Sequence, residues 1–392
     1  MKLFGRLERR RDWREDERMV LDQVRRLCAE RIAPRAAGYD RTGAFPWDNL
    51  RDLNALGLNA IFVPEAYGGT PMRYRLYLAC VQAISEACAA TGIIYATGFH
   101  AMKPLIDFGT HAQKARLLPR IAEGGIGALA ITETDAGSDA TGMRTGFRAD
   151  GDDIIVDGGK TFISNGDVAD RILLFGKWHG IDDPKAAISA LVVEKGTPGF
   201  SVLRLEQKMG HRAASTAAIA FDAMRVPRAN LLGQPGEGLR LLIASLNTSR
   251  PSIAAHALGI ARAAFTDMVT YMNQRRQSGR RIIDFQGNQF LLADLAAELA
   301  MAESWLDYVA AVVDDGEADF GTEASIAKLR ASALAMRMAT ECVQMHGGYG
   351  YISDIRAERL MRDAKVTQIW EGTNQVHRQL IGRSFAARQG RA

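Results

Sequence analysis

Ile131-Thr132-Glu133-Thr134-Asp135-Ala136-Gly137-Ser138-Asp139 is where the character of the chain changes. The stretch closes a β-rich run that starts at Ala128. Thr132, Gly137 and Ser138 put small hydroxyl groups and closely approachable backbone at the end of a strand. Such an edge suits hydrogen bonding to the polar rim of a flat ligand. A Ser or Asx turn joining two strands is the plainer reading of the same residues.

Beyond this stretch, short β-rich runs alternate with glycine and aspartate at Ile154–Val156, Arg171–Phe175, Ala190–Val193 and Ala218–Phe221. Their spacing predicts a small antiparallel β domain over 126–235 rather than βαβ units. No G-x-G-x-x-G follows a strand there, so a Rossmann dinucleotide site is not expected. Before it, over 1–125, the apolar period is helical. Val20, Leu21, Val24, Leu27 and Cys28 recur at three- and four-residue steps, and Pro34 is expected to close that helix. Further helices are predicted near Trp47–Leu56, Leu76–Ala90 and Ala112–Ile121, with a turn at Pro64-Glu65-Ala66-Tyr67-Gly68-Gly69.

From 236 to 392 the helical stripes return and lengthen. One runs through Leu258, Ala261, Phe265, Met268 and Met272, and another through Leu292, Leu295, Leu299, Ala302, Leu306 and Val309. A third spans Ala324–Met345, and a shorter one begins at Val376, Leu380 and Ile381. The expected class is therefore α+β, mainly α: an N-terminal helical domain, a middle antiparallel β domain and a C-terminal four-helix bundle.

The 392 residues are 47% hydrophobic and 24% charged, an ordinary globular balance. The 49 Lys and Arg against 45 Asp and Glu leave a net charge of only +4, which argues against nucleic acid as a partner. No apolar run approaches the about 18 residues of a membrane span. The start is basic without an apolar segment behind it, so no secretory leader is expected. Arg9-Arg10-Arg11 reads as a solvated helix entrance. Cys28, Cys80, Cys88 and Cys342 are scattered, without C-x-x-C or metal spacing, and read as reduced thiols of a cytoplasmic protein that binds no metal.

The opening stretch is similar to the T-E-x-x-A-G-S-D signature of the acyl-CoA dehydrogenase family. Four further segments resemble that family in the same order: Gly159-Lys160-Thr161-Phe162-Ile163-Ser164-Asn165-Gly166; Met209-Gly210-His211-Arg212; Gln344-Met345-His346-Gly347-Gly348-Tyr349-Gly350-Tyr351; and Met361-Arg362-Asp363-Ala364 leading to Trp370-Glu371-Gly372-Thr373-Asn374-Gln375. The resemblance spans about 16–388. It implies an FAD-dependent enzyme that desaturates an acyl-CoA thioester and passes electrons to an electron-transfer flavoprotein. It also implies a homotetramer arranged as a dimer of dimers, and a role in fatty acid metabolism.

The resemblance likewise implies the site. Glu371 is the catalytic base, because α-proton removal from a thioester needs a carboxylate beside an apolar pocket. Leu129, Ile131, Thr132, Gly137 and Ser138 line the flavin. Phe162 packs on its ring, Ser164 reaches its N5 position, and Ile163 lies between them. Arg275 and Gln286 contact the pyrophosphate and adenine side, although Ser278 stands where the family has Phe. Gln344, Met345, His346, Gly347 and Gly348 serve the flavin of a neighbouring subunit, and Thr373, Asn374 and Gln375 complete the cofactor contacts. Ser138, Asn247, Arg250 and Gly372 face the substrate. Ser249 occupies the position at which some relatives carry the base, so Glu371 has no rival carboxylate there. The pocket floor is implied at Thr91–Phe99, where Gly98 leaves room while Tyr95 and Phe99 fill it. His100 reads as a structural residue. Three cousins stay open: a carrier-protein thioester as substrate, an oxidase or a desulfinase, and a nucleic-acid-binding flavoprotein.

Overall fold

The computed structural model describes residues 2–386. Eight helices come first: α1 (Lys2–Arg10), α2 (Glu15–Leu27), α3 (Ala33–Thr42), α4 (Trp47–Ala55), α5 (Tyr74–Ala87), α6 (Ala89–Phe108), α7 (His111–Leu117) and α8 (Pro119–Ala122). A π-helical turn over Cys28–Ile32 joins α2 to α3 without a break. Pro34 therefore does not close the first helix, as its sequence position suggested. It sits in the first turn of α3, and the π-turn, in which the Ala33 N–H reaches back to the Cys28 carbonyl, carries the helix through it. The buried stripe Leu21, Val24, Cys28, Ile32 and Ala36 runs unbroken across the junction. The basic run lies at the exit of α1 rather than at an entrance, and Arg11 is paired with Glu8 at 3.1 Å.

The strands are β1 (Gly127–Ala130), β2 (Gly146–Asp150), β3 (Asp153–Ser164), β4 (Arg171–Trp178), β5 (Ile188–Glu194), β6 (Phe200–Leu205), β7 (Thr216–Pro227) and β8 (Leu231–Leu232). They form one sheet in the order β6-β7-β3-β2-β4-β5-β8, with β1 added on β4. Most pairings are antiparallel, but β4 holds both β1 and β2 in parallel register. Parallel pairing rules out a tight hairpin, and the chain reaches β4 from β1 and β2 only after passing through β3, with β1 and β2 lying end to end along one edge of β4. Leu173, Leu174 and Phe175 of β4 are buried on both faces, which explains why this strand reads as a continuous apolar run.

The chain then returns to helices: α9 (Gly238–Gln274), the hairpin β9 (Arg276–Gln277) and β10 (Arg280–Arg281), α10 (Gln286–Asp314), α11 (Gly321–His346), α12 (Gly348–Tyr351), α13 (Ala357–Val366) and α14 (Asn374–Ala386). Ser278 and Gly279 both take positive φ, 50° and 76°, as a two-residue hairpin turn requires. The axis of the molecule is α9, 37 residues long, against which α5, α6, α10, α11 and α13 all pack. Gly259 lets α5 approach closely, since a Cβ there would lie 2.4 Å from the Gln82 carbonyl oxygen. Pro251 interrupts the α9 hydrogen-bond ladder. One turn before it, the Thr248 carbonyl accepts the Tyr74 hydroxyl. Among the described residues, no helix is long and apolar enough to cross a membrane.

Candidate active site

Glu371 lies between α13 and α14, on a tight turn in which it and Gly372 both have positive φ, 51° and 93°. A glutamate rarely adopts this conformation, and its surroundings hold it there. The Glu371 carbonyl accepts His377 Nε2 at 3.1 Å, and the Gly372 carbonyl accepts the Lys328 ammonium at 2.6 Å. The side chain is half-buried, and its Oε2 accepts the Ser249 hydroxyl from α9 at 2.6 Å. Burial pushes the Glu371 carboxyl above its ordinary range, opposed by the Ser249 hydrogen bond and by the charges of Arg250 and Lys328. Arg250 holds Asn247 Oδ1 at 3.0 Å, and its buried Nε has no partner among the described residues. Glu371, Ser249, Asn247, Arg250 and Gly372 thus form one cluster.

Behind this cluster, toward the interior, stands an aromatic wedge from α5 and α6. Tyr77 packs on Phe99 at 4.3 Å between ring centres, on Tyr74 at 5.7 Å and on Tyr95 at 5.8 Å. Ser252, one turn beyond Ser249, is 2.9 Å from the Tyr77 hydroxyl. Tyr95 is tied to the Leu58 carbonyl at 3.2 Å. All four rings are buried.

The second cluster sits on the sheet. Thr161 N–H donates to the Thr132 carbonyl at 2.9 Å, which fastens the end of β3 to the segment after β1. Alternation along β3 puts Phe162 and Ser164 on one face, and their exposure beside buried Thr161 and Ile163 agrees, although the register shifts between Lys160 and Ile163 and Phe162 takes φ 59°. The Phe162 ring points outward, 63% exposed, while Ile163 stays in the core and Ser164 is partly covered. Leu129, Ile131 and Thr132 are half-buried, and Gly137 and Ser138 are exposed on the loop beyond. Ile163 offers this surface only its backbone.

The remaining predicted residues lie elsewhere. Arg275, at the end of α9, and Gln286, at the start of α10, are both exposed and flank the β9–β10 hairpin. Gln344, Gly347 and Gly348 are exposed at the end of α11, and Met345 is half-buried. His346 is committed inward: its Nδ1 donates to the Cys342 carbonyl at 2.7 Å, and its ring stacks on Tyr271 at 4.3 Å. Gln375 is exposed and Thr373 partly so, but the Asn374 side chain is buried and bound to Lys328 and Ser332.

Three structural partners escaped sequence reasoning. Lys328 and His377, which clamp the turn, are fully buried. Lys160 is also buried; it donates to Glu133 Oε1 at 2.7 Å and to the Ile131 carbonyl at 2.9 Å. Glu133 further accepts the Thr145 N–H at 2.9 Å, so it anchors both ends of the loop that follows β1. A charged residue inside an apolar helical or strand pattern was the available signal for both lysines.

Three acyl-CoA dehydrogenase family models match this chain: the N-terminal domain at residues 14–125, the middle domain at 128–224 and the C-terminal domain at 236–386. An acyl-CoA dehydrogenase of Bacillus subtilis is 41% identical over 371 residues, covering 94% of this chain and 97% of the relative. The short-chain-specific acyl-CoA dehydrogenase of Clostridium acetobutylicum is 37% identical over 368 residues, covering 93% and 97%. The solved butyryl-CoA dehydrogenase of Megasphaera elsdenii matches with a TM-score of 0.93 at 34% identity, over 96% of this chain and 99% of that one. The chain belongs to the acyl-CoA dehydrogenase family of oxidoreductases.

Proposed function

We propose that this protein is an FAD-dependent dehydrogenase that converts a short-chain acyl-CoA to its trans-2-enoyl thioester, with Glu371 as the base. The observation that carries this reading is the Glu371 turn: a carboxylate with raised proton affinity, held by Ser249, beside a backbone N–H that is unpaired among the described residues. The chain's own groups then act in order. The carboxylate takes the α-proton, and the Glu371 N–H donates to the thioester oxygen, where enolate charge develops. Ser249 steadies the carboxylate before the transfer, while Arg250 and Asn247 hold the polar part of the thioester.

The sheet surface fits FAD. It combines an outward aromatic ring at Phe162, partly exposed Leu129 and Ile131, and the hydroxyls of Thr132, Ser138 and Ser164, as a flat ring system with a polar edge requires. When bound, FAD supplies the two-electron acceptor for the β-hydride. Arg275 and Gln286 would hold its pyrophosphate and adenine side, and Gln344 to Gly348 that of a neighbouring subunit, with Thr373 to Gln375 beside the base. An electron-transfer flavoprotein would receive the electrons. A homotetramer is supported by Phe290, Met301 and Tyr308, which stand 62%, 72% and 49% exposed along one face of α10 and call for a covering partner.

The short acyl group follows from the aromatic wedge, which occupies the interior side of Ser249 and Glu371, and from the names of the short-chain and butyryl relatives. Anaerobic titration with an acyl-CoA series tests the reading. Bleaching of the flavin by four- to six-carbon esters is expected, with none in a flavin-loaded Glu371→Gln variant. A variant that bleaches as fast as the parent removes Glu371 from the reaction.

A further inference from the structure

Resting on the reading of Glu371 as the base, we propose that Lys328 is a positioning residue for the reaction: its ammonium holds the Gly372 carbonyl and thereby fixes the left-handed turn that aims both the Glu371 carboxylate and the turn's N–H groups.

Four observations converge on this role. Lys328 lies in α11, and its whole side chain is out of solvent. Its donors go to the Gly372 carbonyl at 2.6 Å and to Asn374 Oδ1 at 3.2 Å, while Glu371 Oε2 takes Ser249 instead. Asn374 is itself pinned, accepting the Ser332 hydroxyl at 2.9 Å and donating its N–H to the Gln368 carbonyl at 3.0 Å. His377 holds the preceding carbonyl, that of Glu371, at 3.1 Å.

Two successive carbonyls of the turn are therefore bolted to two different helices, α11 and α14. A peptide plane is rigid, so fixing its carbonyl also fixes the N–H of the following residue on its opposite edge. The Glu371 carbonyl thus orients the Gly372 N–H and the Gly372 carbonyl orients the Thr373 N–H, and because the N–H groups of Glu371 and Gly372 have no partner among the described residues, the course of the turn rests on these two anchored planes. The positive φ of Glu371 makes the turn costly to maintain unaided, while Gly372 adopts its own without penalty. A buried lysine is also costly, and four groups bear on it: Glu371 from the turn, Arg250 from α9, and Asn374 and His377 from α14. Burial pushes its ammonium down to about 7, with Arg250 adding to that and Glu371 opposing it. Packing alone would be served by a methionine at this position.

The test compares Lys328→Met, which keeps the volume, with Lys328→Gln, which restores a neutral donor toward the carbonyl. Each is measured as the flavin-loaded enzyme. The first readout is kcat and KM for butyryl-CoA. The second is exchange of the substrate α-hydrogen with D2O, which needs only the base and the turn. Misplacement of a reacting group by about 1 Å costs on the order of a hundredfold in rate. Lys328→Met is expected to lose about that factor in both kcat and exchange with KM nearly unchanged, and Lys328→Gln to recover most of it. Parent-like exchange in Lys328→Met overturns the proposal, as does a Lys328→Gln variant as slow as Lys328→Met. Should the Met variant not fold, Lys328→Gln is read against the parent. A variant that folds and loads flavin yet exchanges more than about tenfold slower then counts against the hydrogen-bond role, and anything faster supports it. Glu371→Gln is run beside them. Exchange that survives there sinks the base assignment itself, whereas its loss there with parent-like Lys328→Met sinks only the clamp.

Discussion

The Ser249 hydroxyl donates to Glu371 Oε2 at 2.6 Å, joining the central helix to a turn 122 residues away in the chain. The bond favours the charged carboxylate, while burial favours the neutral acid. Removing the hydroxyl leaves burial less opposed, so the proton affinity of Glu371 rises. Ser249→Ala should move the acidic limb of the kcat/KM profile to higher pH. A hydrogen bond to a charged group contributes about 1.5–3 kcal/mol, so activity on the acidic side should fall by at least about tenfold and converge with the parent at high pH. A profile that keeps its acidic limb in place would show that the serine does not tune the base.

Glu133 and Lys160 form a 2.7 Å ion pair on the sheet side of the site, with the lysine side chain fully buried and the glutamate 10% exposed. Burial pushes the Lys160 ammonium down to about 8, and Glu133 opposes this. Removing one member of a buried pair typically costs about 3–5 kcal/mol, because the other is left uncompensated. Glu133→Gln should therefore lower the melting temperature substantially and weaken flavin retention, since the loop from Thr132 to Thr145 loses its anchor. The double variant Glu133→Gln, Lys160→Met should recover much of the stability. Equal melting temperatures for the single and double variants would refute the pair's structural role.

Four of the buried imidazoles set the acid stability. Burial pushes His100, His211 and His377 down to about 3, and His256 well below its ordinary value. The unfolded chain takes up these protons near pH 6.5 and the native state only near 3, so their contribution is complete above pH 6.5 and is lost as pH falls toward 3. Asp363 works the other way: raised by burial to about 6, it binds a proton in the native state before the unfolded chain does. Glu371 is raised in the same sense. Near pH 5 the four imidazoles outweigh the two carboxyls, so stability is lost as pH falls. Urea midpoints measured from pH 7.5 to 4.5 should fall accordingly, and His256→Gln should flatten the slope. A flat profile in the parent would contradict burial of neutral imidazoles.

How much of this was legible depends on how far a residue's partner lies along the chain. The stripe Leu295, Leu299, Leu306 and Val309 is buried as its spacing demanded, because helix amphipathicity is a local property. Pro34 misled because a π-turn, invisible to a 3.6-residue period, carried the chain through it. The outward placement of Phe162 and Ser164 follows strand alternation, whereas the positive φ of Phe162 and the bulge against β7 carry no signal in the residues themselves. Lys328 was passed over because a single lysine in a helix reads as solvated. Its partner, Gly372, is 44 residues away, and local pattern carries no information about that contact.

The aromatic wedge should set acyl length. Tyr77 is held from two sides: its hydroxyl donates to the Ala96 carbonyl at 3.2 Å and meets Ser252 Oγ at 2.9 Å, while Phe99 stacks on it at 4.3 Å. Gly98 does leave room, since a Cβ there would meet nothing within 4 Å. It lies on the α6 face toward β1, where a Cβ at Gly127 would come within 3.3 Å of its Cα. Phe99→Ala removes the ring that stacks on Tyr77 and leaves both Tyr77 hydrogen bonds in place, opening volume behind the Ser249 turn. Such a truncation costs about 3–5 kcal/mol of stability, so the readout must be a ratio within one folded enzyme. The kcat/KM for octanoyl-CoA relative to butyryl-CoA should rise by up to about two-hundredfold, since each methylene admitted to an apolar pocket contributes about 0.8 kcal/mol and four are gained. A ratio unchanged from the parent would mean that the chain runs elsewhere and that the wedge belongs to the core alone.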